Sequence, residues 1–311
     1  MRRNVRLAAV FLVGLGLFGA AGGQSSSPPA LRAARFSASE TVVTFMNGGQ
    51  KVVGTLTTPG GASGLLPVVL MLHGFGSTRQ ELPIKNTQEA IFSRTARVLA
   101  EQGYATLRID FRGSGESGGI WPDTTFSSQI SDAHAALAFL GTQPQLDGNR
   151  IGVLGLSQGG LVAAVTAASE PRVKSLVLWS PVAIPAQTFG DLFGKDTVAK
   201  GLASGGQPIT FKLPWGAEVT LKTGYFEDLF NVDPLAEITK YNRPMLVVVG
   251  LKDTTVTPQP QSGQLYLKYH PGQEKLVKLD ADHVFGSLDV GPERLDEAIA
   301  WSADWLSGTL K

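Results

Sequence analysis

Past the first 40 residues, short apolar runs of strand length alternate with segments in which apolar residues recur at helical spacing. The clearest run is PVVLML at 67–72, and a helical pattern follows it at 90–102. Strands joined through helices form a mainly parallel sheet with the helices on its two faces. The sequence therefore predicts an α/β fold with a mainly parallel, twisted sheet. Two runs that flank Asn47-Gly48, at 41–46 and 51–57, predict an antiparallel hairpin at one edge.

One stretch, residues 183–235, departs from this alternation. Within it, two short runs at 208–213 and 217–223 surround a Pro-Trp-Gly turn and predict a β-hairpin. A long excursion in a compact domain usually has a function or a structure of its own. We therefore divide the folded part into a core at 40–182, an insertion at 183–235 and a second core segment at 236–311.

The N-terminus has the order of an export signal. Residues 1–6 are basic, 7–18 form an apolar run, and small residues follow up to Gly23. This order predicts a signal peptide over 1–23, a flexible linker over 24–39 and an exported protein. An uncleaved membrane anchor is the alternative, although the apolar run is shorter than the roughly 20 residues that a membrane span needs.

Composition excludes several classes of function. The chain contains no cysteine, which rules out disulfides, thiolate nucleophiles and cysteine-ligated metals. Its formal net charge is only +1, so nothing favours a nucleic acid or an anionic membrane as partner. We expect neither a bound nucleic acid nor stable membrane insertion after signal cleavage. The oligomeric state is not predicted.

The most specific motif is G-x-S-x-G at 155–159, which directly follows a strand run and directly precedes a helical segment. This context predicts a sharp turn that exposes a nucleophilic serine, Ser157, at the end of the sheet. The same pattern occurs at 115–119, but there a glycine-rich loop surrounds it and Trp121-Pro122 follows. We therefore interpret Ser117 as a loop residue.

A nucleophilic serine needs a general base, and histidine has a suitable pKa. Where a G-x-S-x-G serine lies on a strand-to-helix turn, the chain order of the catalytic residues is Ser, acid, His. Of the four histidines, His73 and His134 precede the serine and do not fit this order. His270 sits at a helix end before a proline. His283 follows a predicted strand, where a parallel sheet gathers its site, and is our predicted base.

The acid that orients the base should lie between Ser157 and His283, also after a strand. Asp253 follows the buried run VVVG and is the predicted acid. The alternatives are Asp233, which could serve in variants of the fold, and two aspartates close to the histidine in sequence, Asp280 and Asp282.

Acyl transfer also needs backbone N–H donors for the developing oxyanion. The N–H of Gln158, directly after the nucleophile, is one predicted donor. The N–H of Phe75, in the loop HGFG at 73–76, is the other.

Taken together, HGFG at 73–76, DFRGSGES at 110–117, GLSQG at 155–159, Asp253 and His283 resemble the α/β-hydrolase superfamily. Within it, the chain looks most like bacterial cinnamoyl (feruloyl) esterases and their dienelactone-hydrolase-like relatives. The resemblance implies triad roles for the serine, aspartate and histidine. It also implies that the insertion, which follows the sixth strand, forms a small lid.

These features predict a serine hydrolase that cleaves small-molecule carboxylic esters through an acyl-enzyme, with no metal and no cofactor. A peptidase or amidase on the same triad is one alternative, and a non-catalytic binding protein that keeps the fold is another. The insertion contains aromatic residues that could line an apolar substrate pocket or form the insertion's own core. We place three of them in the pocket: Phe189, Phe193 and Trp215.

Overall fold

The computed structural model describes residues 28–311. In chain order its strands are β1 (Ser37–Asn47), β2 (Gln50–Gly60), β3 (Leu66–Leu72), β4 (Ala105–Ile109), β5 (Leu146–Leu156), β6 (Val173–Trp179), β7 (Ile209–Lys212), β8 (Glu218–Leu221), β9 (Met245–Gly250) and β10 (Glu274–Leu279). Its α-helices are α1 (Ile91–Glu101), α2 (Phe126–Leu140), α3 (Gln158–Ser169), α4 (Pro185–Phe193), α5 (Lys195–Leu202), α6 (Thr223–Asn231), α7 (Pro234–Ile238), α8 (Gln261–Tyr269) and α9 (Glu293–Thr309).

Eight strands form one sheet in the order β1-β2-β4-β3-β5-β6-β9-β10. Strand β2 pairs antiparallel with both of its neighbours, and all other pairs in this sheet are parallel. The prediction of a mainly parallel α/β sheet with an antiparallel hairpin at one edge is therefore confirmed. All the parallel strands end at the same edge, so the loops that follow them meet there.

The continuous apolar runs are explained by burial of the sheet on both faces. In β3, Val68 and Leu70 join the core beneath α2, α3 and α8, whereas Val69 and Met71 join the core beneath α1 and α9. Successive side chains of a strand point to opposite faces, so a strand covered on both sides must be apolar throughout. Each such side chain contributes about 1.5–3 kcal/mol when fully buried.

Two local boundaries differ from the sequence prediction. The edge hairpin pairs Asn47 with Gln50, so its turn is Gly48-Gly49, both with positive φ, and not Asn47-Gly48. Helix α2, whose helical pattern in the sequence begins at residue 128, starts at Phe126 in the structure, because Thr125 and Ser128 cap each other's backbone N–H groups at 2.9 and 3.0 Å. Caps and turns of this kind depend on one or two side chains and not on periodicity.

At the N-terminus, β1 begins at Ser37, so the predicted linker ends earlier than residue 39. Pairing along the whole of β1 with β2 explains the correction, because the register runs from Ser37 to Asn47 without a break. The predicted signal peptide over 1–23 lies outside the described residues, and export stays a prediction. Within residues 28–311, no helix combines the length and apolarity needed to cross a bilayer.

The insertion lies between β6 and β9 and is more regular than its sequence suggested. The predicted hairpin is present as β7 and β8, and helices α4, α5 and α6 surround it. Aromatic side chains hold these elements together in edge-on and tilted contacts at 4.8–6.4 Å, and they are Phe189, Phe193, Phe211, Tyr225 and Phe226. We call this set the aromatic cluster. It packs against Phe75 and Phe126 of the core, which fixes the insertion over the sheet edge.

Candidate active site

The turn between β5 and α3 holds Ser157 in an unusual backbone conformation, with φ 58° and ψ −120°. Its flanking glycines have ordinary φ but allow very close packing. A Cβ added at Gly155 would lie 2.1 Å from the carbonyl oxygen of Gly159, and one at Gly159 would lie 2.0 Å from that of Leu72. The serine therefore carries the conformational strain, and the glycines make room for the turn.

Ser117, the serine of the second G-x-S-x-G pattern, is hydrogen-bonded to backbone groups of its own loop and of β2. The Ser117 hydroxyl donates to the carbonyl oxygen of Asp110 at 2.6 Å and accepts the N–H of Val53 at 2.8 Å. The Asp110 carboxylate in turn accepts backbone N–H groups of Arg79 and Glu116 at 2.7 and 2.9 Å. The Ser117 hydroxyl therefore donates one hydrogen bond and accepts another, and these bonds fix its loop against β2.

The structure brings Asp253 and His283 together, although 30 residues separate them. Oδ2 of Asp253 lies 2.7 Å from Nδ1 of His283, and Oδ1 accepts the N–H groups of Thr255 and Val256 at 2.7 and 2.9 Å. Asp253 is buried, and this bond leaves Nε2 of the imidazole as the nitrogen available for proton transfer. Ser157 and His283 line the same cavity.

The other aspartates that could orient a base have different partners. Asp233 caps α7 by accepting the N–H groups of Leu235 and Ala236. Asp280 forms an exposed ion pair with Lys252. Asp282 accepts two N–H groups of the turn that follows His283, at 3.1 and 2.7 Å, and so helps to hold that turn.

The other histidines are also engaged elsewhere. His73 is buried between the Gly74 carbonyl oxygen, at 2.8 Å from Nδ1, and the Phe111 N–H, at 3.3 Å from Nε2. Burial lowers the pKa of His73 to about 4, so it stays neutral and fixes two loops. His270 ends α8 as predicted, and its Nε2 lies 2.9 Å from the Arg243 carbonyl oxygen. His134 contacts the Ser169 hydroxyl.

Phe75 and Gln158 belong to two segments that meet beside Ser157. Phe75 belongs to the loop after β3 and lines the cavity with Ser157, and Gln158 begins α3. Neither of their backbone N–H groups donates a hydrogen bond to another described residue. Free N–H groups at a helix N-terminus and in a glycine-rich loop can stabilise an anionic oxygen.

The Gln158 side chain begins a buried chain of hydrogen bonds that the sequence did not indicate. Its Oε1 accepts the Tyr225 hydroxyl at 2.7 Å, and its Nε2 donates to Oε1 of Gln129, also at 2.7 Å. Gln129 then donates to the Thr124 hydroxyl at 3.1 Å. Burial raises the pKa of Tyr225 well above its ordinary value, so its hydroxyl remains a donor. These bonds connect the insertion to the residue that directly follows Ser157.

The cavity has a volume of about 920 Å³ and lies between the sheet edge and the insertion. The loops after β3, β5, β9 and β10 form one side. Helix α4 and the β7–β8 hairpin form the other side. Of the three aromatic residues predicted in the pocket, Phe189 and Trp215 lie on its wall. Trp215 is 62% exposed at the hairpin turn.

Phe193, the third of these residues, does not line the cavity and lies inside the aromatic cluster. Its ring packs against Phe75, Phe189 and Phe211 at 4.8–5.5 Å, and it is 6% exposed. The helical period places Phe189 and Phe193 on the same face of α4 and does not distinguish them. The contacts of Phe193 with Phe211 and Phe226 explain the correction, because neither of these two rings lines the cavity. Phe189 reaches the cavity, whereas Phe193 continues into the core of the insertion.

Sequence reasoning missed Glu81, a buried carboxyl group on the cavity wall. Its Oε1 accepts the N–H of Gly74 in the loop that carries Phe75. Burial raises the pKa of Glu81 from 4.5 to about 7, against the opposing effects of Gly74, Ser77 and His283. No motif marks this residue, and only its place eight positions after His73 could have drawn attention to it.

A family model described as "Prolyl oligopeptidase family" matches residues 90–309, which include the Ser157 turn, Asp253 and His283. The chain belongs to this family. As a member of the prolyl oligopeptidase family, it is 29% identical over 243 residues to "Esterase EstD" of Thermotoga maritima, with 74% of this chain and 57% of that protein covered. It is 28% identical over 152 residues to "Putative hydrolase YtaP" of Bacillus subtilis, with 44% and 51% covered. The matches thus span about half the length of these two relatives.

Among solved structures, this prolyl oligopeptidase family member is similar to Est1E of Butyrivibrio proteoclasticus, in a structure with ferulic acid bound. The TM-score is 0.70 at 22% identity, and the similarity covers 86% of this chain and 98% of Est1E. Similarity at this identity concerns the fold, and the α/β-hydrolase fold expected from the sequence motifs is confirmed.

Proposed function

We propose that this chain hydrolyses carboxylic esters through an acyl-enzyme formed on Ser157. The observation that carries the proposal is the 2.7 Å hydrogen bond between Asp253 and His283, in a cavity that also holds Ser157 on a strained turn. Strain of this kind persists where the surrounding structure enforces it, and it is concentrated at active sites.

In the proposed reaction, Nε2 of His283 takes the proton of Ser157 while the serine oxygen attacks the ester carbonyl carbon. Asp253 holds the imidazole in the required tautomer and stabilises its protonated form. The N–H groups of Phe75 and Gln158 stabilise the oxyanion. His283 then gives its proton to the departing alcohol, and water cleaves the acyl-enzyme by the same steps in the opposite sense.

The substrates that best suit the cavity are esters with an apolar acyl or aryl group, including cinnamoyl esters. Its walls carry Phe75, Phe189 and Leu192 near the predicted oxyanion donors, and its volume is sufficient for an aromatic acyl group. The similarity to EstD, named as an esterase, and to Est1E with bound ferulic acid supports this choice.

Amide hydrolysis is the second candidate, because the matching family is described as that of prolyl oligopeptidase. The triad chemistry is shared, and only the leaving group differs. Kinetics on aminoacyl-anilides and on short acyl, hydroxycinnamate and lactone esters, measured side by side, would separate the two. A higher kcat/KM for the anilides would replace the ester proposal with the peptidase.

The central test compares Ser157→Ala with Ser117→Ala, the matched change in the rival motif. We expect Ser157→Ala to lose nearly all turnover of a p-nitrophenyl ester and all labelling by a fluorophosphonate probe. Ser117→Ala should retain both per folded molecule. Unchanged turnover in Ser157→Ala would reject the nucleophile. A wild-type protein that neither labels nor turns over any panel substrate would indicate a non-catalytic binding protein.

A further inference from the structure

A carboxyl group that the proposed triad does not use shares the cavity with Ser157. Glu81 lines the cavity and is 8% exposed. A Cβ added at Gly74 would lie 3.2 Å from Oε1 of Glu81 and 3.5 Å from Cβ of Ser157. The carboxyl group of Glu81 and the side chain of Ser157 therefore both pack against Gly74. It is separate from the pair formed by Asp253 and His283.

This residue is unfavourable to the fold in two respects. Its charged form is buried, which raises its pKa to about 7. Its backbone has φ 62°, in the left-handed region that non-glycine residues rarely adopt. Two local costs at one cavity residue are expected where function, and not stability, selects the residue.

The contacts of Glu81 indicate which function this is. Oε1 accepts the N–H of Gly74, the residue directly before Phe75. The peptide between Gly74 and Phe75 carries the predicted oxyanion donor, so a bond to one end of this short segment limits its rotation. Ser77, further along the same loop, also favours the ionised carboxyl group.

Among the titratable groups near Glu81, His283 is the one whose charge acts on its carboxyl group. His283, from the loop after β10, lines the cavity, and its positive charge when protonated favours the ionised form of Glu81. Asp282, the residue before it, also lines the cavity. His73, at the end of β3, stays neutral because of its burial. Arg79, two residues before Glu81, forms its ion pairs with Asp110 and Glu116 and not with Glu81.

We propose that Glu81 is a positioning residue of the ester hydrolysis. Its carboxylate fixes the Gly74–Phe75 peptide so that the Phe75 N–H faces the developing oxyanion. Its negative charge also favours the imidazolium that His283 becomes in each proton transfer. This inference rests on the proposed function, because it concerns the same site.

The test uses the full chain with Glu81→Ala, Glu81→Gln and the control Glu89→Gln. Glu89 is a partly buried carboxylate that pairs with Arg94 and Arg97 at the start of α1, outside the cavity. Rates of p-nitrophenyl ester turnover between pH 5 and 9 would be divided by the fraction of molecules that a fluorophosphonate labels at completion. This division removes any loss through misfolding.

We expect Glu81→Ala to lower kcat by about 10–100-fold with KM within about threefold, a smaller effect than the 10²–10³-fold of deleting an oxyanion donor outright. Glu81→Gln keeps an acceptor oxygen for Gly74 and should recover part of kcat. The glutamine side chain cannot ionise. The rise of kcat with pH on the acid side of the profile, its acid limb, should therefore be less steep in Glu81→Gln than in the wild type. Glu89→Gln should match the wild type.

Three results would overturn the inference. Glu81→Ala could keep the wild-type kcat and pH profile, it could change KM alone, or Glu81→Gln could show no recovery and an unchanged acid limb. Failure of the proposed function is distinguishable, because it would appear as turnover that survives Ser157→Ala. The initial rate of fluorophosphonate labelling gives a second measure of Glu81 that does not depend on the ester chosen.

Discussion

Replacing Ser157 by glycine should make the protein more stable than replacing it by alanine, although both changes remove the proposed nucleophile. The reason is the backbone conformation, with φ 58° and ψ −120°. Alanine keeps the Cβ that makes this conformation unfavourable, whereas glycine adopts positive φ freely. The pair therefore isolates backbone strain from the loss of the hydroxyl group.

The expected difference follows from two opposing terms. Strained non-glycine conformations cost of the order of 1–3 kcal/mol, and most of this cost disappears with the Cβ. Glycine also gains freedom in the unfolded chain, which offsets about 0.4–1 kcal/mol. Ser157→Gly should therefore exceed Ser157→Ala in unfolding free energy by about 1–2 kcal/mol, or roughly 2–6 °C in Tm for a domain of this size.

The assay is urea or thermal unfolding of both variants at one pH, followed by circular dichroism. Ala138→Gly is the control, because Ala138 is exposed in the last turn of α2, where the conformation is helical. There the same side-chain deletion should lower stability by about 0.5–1 kcal/mol. If Ser157→Gly is no more stable than Ser157→Ala, the turn does not store strain at this residue and the reasoning is refuted.

Two further predictions concern glycine packing and pH. Gly159→Ala should prevent recovery of folded protein, because its Cβ would lie 2.0 Å from a backbone carbonyl oxygen of β3. Gly190→Ala, in α4 with open space around it, should instead raise Tm slightly, and equal behaviour of the two would contradict this packing argument. Glu81 has a folded-state pKa near 7 against an ordinary 4.5, so its contribution to stability is complete below pH 4.5 and is lost as the pH rises through 7. Glu81→Gln should therefore exceed the wild type in unfolding free energy by about 3 kcal/mol at pH 8 and by little at pH 4.5, and a gap that does not change with pH would contradict it.

The strands and the Ser157 turn were predictable because their signals are local. A strand buried on both faces must be apolar throughout, which the run at 67–72 displays. The G-x-S-x-G turn needs glycines within two residues of the serine, since larger side chains would clash with neighbouring backbone. The position of His283 and Asp253 after strands was likewise readable, because parallel strands end at one edge of the sheet.

The insertion was predicted only in part. Its hairpin has a local turn signal, Pro-Trp-Gly, and was found. Helices α4 to α6 were missed because their apolar residues face an aromatic cluster assembled from distant positions. The apolar residues of these short helices consequently do not repeat at a regular helical spacing. Phe189 and Phe193 both belong to that cluster, but only Phe189 also lines the cavity, and this difference depends on packing and not on residue type.

The sequence by itself determined the sheet, the candidate nucleophile and the residues able to act as its base and acid, because periodicity, turn chemistry and chain order are properties of neighbouring residues. Only the tertiary structure decided that Asp253 meets His283, that Tyr225 holds Gln158, and that the carboxyl group of Glu81 and the side chain of Ser157 both pack against Gly74. These contacts join residues far apart along the chain. Their geometry is set by how whole elements pack, which no short stretch of sequence contains.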